Sequence, residues 1–184
     1  MIKDLVEKNR SYRAFDCSRK VSKEELLSLI DLTRYCASSL NHQVLKFCPV
    51  YEEQKVKEIQ SCTLWARSLI ELHLPFEGKE PVAFIVICID HSLEFKGVNY
   101  DRDVGIAAQT MLLRATEIGL GGCMIGSIAK KKISAYLNLP PHIEPTLAIG
   151  LGKPDETIIL TECNDNKINY YRNEDNSIHY VPKR

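Results

Sequence analysis

Apolar and polar positions along the chain predict helices and strands in alternation. Residues 81–90, Pro-Val-Ala-Phe-Ile-Val-Ile-Cys-Ile-Asp, form an unbroken apolar run rich in β-branched side chains. It is too short for a buried helix, which predicts a central strand covered on both faces. A second stretch carries the helical period: Val104, Ala107, Ala108, Met111, Leu112, Ala115 and Ile118 recur on one face. Ile106 and Leu113 make the opposite side apolar too, so a helix from about Tyr100 to Gly119 should be covered nearly all round. Asp101 and Asp103 suit its positive end, and Gly119 ends it.

Weaker signals fill in the rest. A short helix precedes Arg10, and Ser22-Lys-Glu-Glu25 is a capping box opening a helix to about Tyr35. Residues 42–53 read as a strand, and 53–73 as a helix with a break near Ser61. Residues 130–137 form a short helix stopped by Pro140-Pro141, and 145–151 another strand. From Asp155 the chain turns polar and ends in a hairpin, 168–172 and 178–181 about a turn at 173–176. There is no internal repeat and no low-complexity segment. The pattern is that of an α+β protein, helices wrapped on a mixed sheet, and 184 residues suit a single domain, 1–184.

Charge narrows the partners. Lys plus Arg and Asp plus Glu number 24 each, so the chain has no global field for nucleic acid or anionic lipid. Any anion must be met by a local cluster. The longest apolar run is about half a membrane span, and the opening Met-Ile-Lys-Asp has no signal-peptide core. A soluble, cytoplasmic protein without membrane contact is expected. Seven cysteines stand at least 12 residues apart, which gives neither a CxxC pair nor paired zinc-finger spacing. They read as free thiols, and no metal site is expected.

Four local features bear on chemistry, and each has a structural reading beside the functional one. Arg10-Ser-Tyr-Arg13 offers two guanidiniums and a hydroxyl for forked hydrogen bonds to a phosphate, or is solvated surface. Residues 37–43, Ala-Ser-Ser-Leu-Asn-His-Gln, could hydrogen-bond a heteroaromatic ring, or form a helix cap and turn. Gly119-Leu-Gly-Gly-Cys-Met-Ile-Gly126 lets bare backbone press on a flat ligand, or is a tight helix-to-strand connection. It is neither a P-loop nor a dinucleotide fingerprint, because a helix precedes the glycines and no GKS or GKT follows. Tyr180-Val-Pro-Lys183-Arg184 is a basic terminus, or frayed.

In order and spacing these features resemble the nitroreductase family over essentially the whole chain. Asn9-Arg-Ser-Tyr-Arg-Ala-Phe15 matches its RRSxRxF opening, and Cys36-Ala-Ser-Ser-Leu-Asn-His-Gln-Val44 its APSxxNxQP loop. Gly119 to Gly126 matches GLGxCxIG, Leu151-Gly-Lys-Pro154 matches LGYP, and a basic segment closes the chain. The resemblance implies a three-layer α+β fold and a homodimer built on the long central helix, with FMN at the interface. It implies that Ser11 and Arg13 meet the flavin phosphate and pyrimidine side, with Arg10 as a phosphate partner. Ser38, Ser39 and Asn41 would reach the flavin from the other subunit. The backbone of Met124, Ile125 and Gly126 would lie beside the ring's N5, and Lys183 with Arg184 would complete the phosphate site.

The chain departs from the family pattern in places. Asn9 replaces the first arginine, so phosphate must lean on Arg10, Lys183 or Arg184. Ala37 and Val44 replace the loop prolines, which loosens the loop. The implied activity is hydride transfer from NADH or NADPH through flavin N5 to nitroaromatic, quinone or similar acceptors, in ping-pong order and with no catalytic side chain. Dehalogenation, flavin destruction, azoline oxidation or non-catalytic FMN binding are alternatives on the same fold. His42 is the one histidine near the expected site; His73, His91, His142 and His179 read as surface or cap residues. Trp65, Arg67 and Phe76 either line the acceptor pocket or pack in the core.

Overall fold

The computed structural model describes residues 1–163 and 168–183. Its organising element is β3 (Ala83–Asp90), whose successive side chains alternate between two cores. Phe84, Val86 and Cys88 pack with Ile59, Trp65 and Ile133 on one face. Ala83, Ile85 and Ile87 pack with Leu26, Leu29, Ala108 and Met111 on the other. A strand buried on both faces must be apolar at every position, which is why its run is unbroken. Burying each of its larger side chains contributes about 1.5–3 kcal/mol.

The layers follow from this. On the second face lie α2 (Lys23–Asp31) and α4 (Asp101–Glu117); on the first lie α3 (Glu53–Gln60) and α5 (Lys130–Tyr136). The result is helix, sheet, helix: the expected three-layer α+β arrangement. The capping box forms, with the Ser22 hydroxyl accepting from the Glu25 amide at 3.1 Å and the Ser22 amide donating to the Glu25 carboxylate at 2.9 Å. A 3-10 turn, Leu32–Tyr35, continues α2 to the predicted end. The N-terminal helix, α1, spans Ile2–Lys8.

In the sheet, β3 runs antiparallel between β2 (Leu45–Val50) and β5 (Ile143–Pro154). The far edge of β5 carries β4 (Gly121–Ile125) and then β1 (Phe15–Asp16), also antiparallel. Within this sheet the parallel component is a single bridge, Ser11 to Gly122. A second sheet comprises β6 (Thr157–Glu162), β7 (Tyr171–Arg172) and β8 (Ile178–Lys183), with β6 parallel and β7 antiparallel to β8.

Several boundaries differ from the sequence reading. The helix expected over 53–73 stops at Gln60, because Thr63 bridges to Ile128 and the Leu64 amide donates to the Ser127 carbonyl at 2.9 Å. A separate 3-10 stretch covers Arg67–Leu72. The strand over 42–53 contracts to β2, since Gln43 has φ +52° and breaks the extended chain. The glycine-rich stretch after α4, read as a connection, is itself strand β4. The polar tail pairs with β6 as well as forming its hairpin.

The prediction that α4 is apolar on both sides has a visible consequence. One face is buried, but Arg102, Gly105, Ile106 and Gln109 form an open stripe, with Ile106 41% exposed. No disulfide joins the cysteines among the described residues. Among those residues, too, no helix is long and apolar enough to cross a membrane, and no cluster of His, Cys, Asp or Glu could hold a metal ion.

Candidate functional site

Segment 9–14 leaves α1 extended and is pinned to β4, the Tyr12 amide donating to the Gly122 carbonyl at 3.1 Å. Here the glycines have a packing reason. A Cβ on Gly121 would stand 2.5 Å from the Tyr12 ring, and one on Gly122 would stand 2.6 Å from the Gly150 carbonyl oxygen. Gly119 takes φ +78° at the end of α4. Gly126, like Gly119, has no atom within 4 Å of a built Cβ, but unlike Gly119 it is not held at a positive φ. Three of the four glycines therefore serve internal packing and turning, and one leaves room for something else.

This segment brings the first arginine cluster to a cavity of about 280 Å³, walled by Asn9, Arg10, Ser11, Arg13, Tyr170, His179 and Lys183 among others. Residues from the two ends of the chain, Arg10, Ser11, Arg13 and Lys183, thus line one cavity. Arg184 lies outside the described residues. Arg10 donates to the Val6 carbonyl at 2.6 Å, and Arg13 to the Ser11 carbonyl at 3.2 Å. Arg13 is 8% exposed, and its guanidinium carbon sits 5.0 Å from the centre of the Tyr170 ring. Burial raises the Tyr12 phenol above its ordinary range, against the lowering pull of Arg10.

Arg13 also lines a second cavity of about 200 Å³, together with Trp65, Arg67, Met124, Ile125 and Gly126. Two groups predicted separately, the arginine segment and the end of the glycine-rich stretch, therefore share one side chain. Trp65 both packs in the core and edges this cavity, its indole N–H held by Thr63 at 2.9 Å.

Sequence reasoning missed the buried network behind these cavities. Glu156 accepts from the amides of Arg13 and Ala14, and its other oxygen pairs with Arg172; both charged side chains are 3% exposed. His179, read as a surface or cap residue, is 2% exposed on β8, the middle strand of the second sheet. Its ring meets Tyr170 edge-on at 5.3 Å. Burial, and then the cations of Arg13 and Arg172, push its pKa down to about 4, so the ring is neutral at pH 7. The one available signal was alternation in the tail, which puts His179 and Val181 on one face of a strand.

The predicted 36–44 loop stands apart. It is fastened to the first turn of α4 by Asp103, a buried carboxylate that accepts from the Ser39 hydroxyl at 2.6 Å, the Ser39 amide at 2.8 Å and the Ser38 hydroxyl at 3.2 Å. Ser38 and Asn41 line a third cavity of about 260 Å³ beside Asp103 and Ala107. Leu40, Asn41 and Gln43 all have positive φ. His42 is tied elsewhere, to the Tyr100 hydroxyl at 2.8 Å and stacked on Phe95 at 4.2 Å. This loop enters the sheet through β2, whereas the arginine cavities adjoin β4. Two strands lie between, so β2 and β4 are about 14 Å apart across the sheet. One chain does not bring them together.

The residues present fit an anionic, flat ligand. The Nε atoms of Arg10 and Arg13 and both ring nitrogens of His179 are buried without hydrogen-bond partners among the described residues. Buried polar atoms left unpartnered beside a cavity point to a ligand that completes them.

Comparison with known proteins agrees. The family model described as "Nitroreductase family" matches residues 79–153. A Cr(VI) reductase of Pseudomonas sp. (strain G-1) is 26% identical over 172 residues, covering 84% of this chain and 67% of that one. An FMN reductase (NADPH) of Bacillus subtilis (strain 168) is 25% identical over 171 residues, covering 82% of this chain and 65% of its own. This chain thus spans about two-thirds of the length of these relatives. The crystal structure of a nitroreductase family protein from Streptococcus pneumoniae TIGR4 superposes with a TM-score of 0.71 over 94% of this chain and 100% of that one, at 18% identity, a likeness of fold. The matched segment runs from just before β3 almost to the end of β5, so over this core the chain is similar to the nitroreductase family.

Proposed function

We propose that this protein is a homodimeric FMN-dependent oxidoreductase that draws hydride from NADH or NADPH and passes it to nitroaromatic, quinone or similar acceptors. The observation that carries this reading is the shared cavity of Arg10, Ser11, Arg13 and Lys183, with unpartnered buried nitrogens on the side chains that line it. FMN, when bound, supplies the redox chemistry itself. The names of the relatives, a Cr(VI) reductase and an FMN reductase (NADPH), support the same class of reaction.

The chain's own residues then have definable tasks. Arg10 and Lys183, with Arg184 by resemblance, would meet the phosphate as cations, and Ser11 would donate a hydroxyl. Arg13 borders both cavities, so its cation would serve the pyrimidine side, where negative charge gathers on reduction. The backbone of Met124, Ile125 and Gly126 would run beside the ring, Gly126 leaving the space it needs. Donor and acceptor would use one pocket in turn, a ping-pong order that needs no protein nucleophile or base.

A homodimer supplies what one chain lacks. Ser38, Ser39 and Asn41 lie on the far side of the sheet from the arginine cavities, and the stripe around Ile106 on α4 is open. Pairing across α4 would cover that stripe and carry each 36–44 loop toward the partner's site. The buried thiols of Cys62, Cys88 and Cys123 fit a reducing compartment, the cytoplasm. The test is a visible spectrum of the purified protein before and after anaerobic NADH or NADPH. Flavin absorbance that bleaches on addition is expected. A protein that is colourless and takes up no FMN would overturn the reading.

A further inference from the structure

The described residues leave one buried, functional-looking side chain that the reading above does not use. His179 sits 2% exposed on β8, lines the same cavity as Arg10, Ser11, Arg13 and Lys183, and has a hydrogen-bond partner at neither ring nitrogen among the described residues. Leaving one such buried polar atom unpaired carries a substantial desolvation cost, and this ring leaves two. Its position is enforced: Tyr170 packs edge-on against it, and β8 is held between β6 and β7. We propose that His179 is a phosphate-binding residue that hydrogen-bonds the terminal phosphate of FMN from the wall of the arginine cavity and so distinguishes FMN from riboflavin. The proposal rests on the FMN reading of the same site.

Its surroundings set the charge of the ring. The charged and titratable groups facing the ring are Arg13 from the segment before β1, Arg172 and Tyr170 from the β7 side, and Arg10 and Lys183 at the cavity wall. Glu156 pairs with Arg172 behind them. In the ligand-free chain those cations and burial hold the imidazole neutral. A dianionic phosphate reverses the local field and favours the imidazolium. Binding FMN should therefore draw a proton onto His179, whereas riboflavin, lacking the phosphate, should not.

The experiment is titration calorimetry of the full chain with FMN and with riboflavin at pH 7, in two buffers of different ionisation enthalpy, for wild type and His179→Gln. Expected are fractional proton uptake with FMN only, lost in the variant, and FMN binding about 10- to 100-fold weaker in the variant with riboflavin binding unchanged. Equal FMN affinity in the two proteins, or equal weakening for both ligands, would overturn the role of His179 while leaving the FMN reading intact. A wild type that binds neither flavin would overturn that reading instead. Should the variant not fold, ¹⁵N shifts of the wild-type histidines with and without FMN decide the matter. A His179 signal moving toward imidazolium supports the proposal, and one that FMN leaves unmoved defeats it.

Discussion

Glu156 and Arg172 form a buried ion pair, each side chain 3% exposed, and the second oxygen of Glu156 accepts from the amides of Arg13 and Ala14. A carboxylate in the tail thus fixes the backbone that presents Arg13. Removing it would strand the buried guanidinium of Arg172 and leave the amides of Arg13 and Ala14 without their acceptor. Glu156→Ala should lower stability by about 3–5 kcal/mol. Adding Arg172→Met to a Glu156→Gln variant should restore much of the loss, because no uncompensated charge then remains in that pair. Urea unfolding midpoints of the single and double variants check this.

Two glycines make an opposed pair. A Cβ on Gly126 meets nothing within 4 Å, whereas one on Gly150 would stand 2.7 Å from the Trp65 ring. Gly126→Val should leave stability within about 0.5 kcal/mol of wild type yet weaken FMN uptake more than about tenfold, because its side chain fills the open space. Gly150→Ala should instead cost about 1–3 kcal/mol through overpacking. Thermal melts and flavin fluorescence titrations separate the two outcomes.

Stability should depend on pH in two windows. His179 is lowered from 6.5 to about 4 in the folded chain, so below 6.5 the unfolded chain binds the proton that the folded one refuses. Its contribution is full above pH 6.5 and is lost as pH falls to 4, about 3 kcal/mol in all. Glu25, hydrogen-bonded by Arg19 and by Ser22, is lowered from 4.5 to about 2, so its contribution is lost later, between pH 4.5 and 2. Denaturant unfolding across pH 4–7 should show the first window in wild type and a flattened one in His179→Gln.

How far the residues alone reveal this molecule depends on where the information lies. The unbroken run of β3, the period of α4 and the Ser22 capping box are local patterns that burial and hydrogen bonding turn directly into structure. The arginine segment and Gly126 were legible as cavity-lining positions because clustered guanidiniums and a missing side chain are local features of the sequence. Strand β4 was not, because glycine has no strand preference; Gly121 and Gly122 are there because the Tyr12 ring and the Gly150 carbonyl leave no room for a Cβ. The burial of His179 was equally hidden. It depends on β8 lying parallel to β6 across the hairpin, with Ile158 opposite His179, a pairing set by tertiary contact rather than by any local turn.

The loop that carries Ser38 and Asn41 depends on one buried side chain. Asp103 accepts three hydrogen bonds from Ser38 and Ser39, and nothing else in that loop has comparable anchorage to α4. Asp103→Ala should cost about 2–3 kcal/mol and free the loop. Amide exchange at Ser39 should lose its protection while exchange in β3 is slowed as before, and FMN affinity should fall with it.

The open stripe on α4 gives the sharpest test of assembly. Ile106 is 41% exposed on a helix whose opposite face is core, so within one chain a charge there meets water and costs little, within about 0.5 kcal/mol. Across a two-fold interface the same residue would face a second copy of the same stripe, where an arginine must be desolvated and opposed by its like. Ile106→Arg should therefore shift the protein from dimer to monomer in sedimentation while its circular dichroism stays unchanged. Because the 36–44 loop would then be absent from the partner's cavity, bound FMN should be lost together with the dimer. A variant that remains dimeric and yellow would show that pairing does not run through this face of α4.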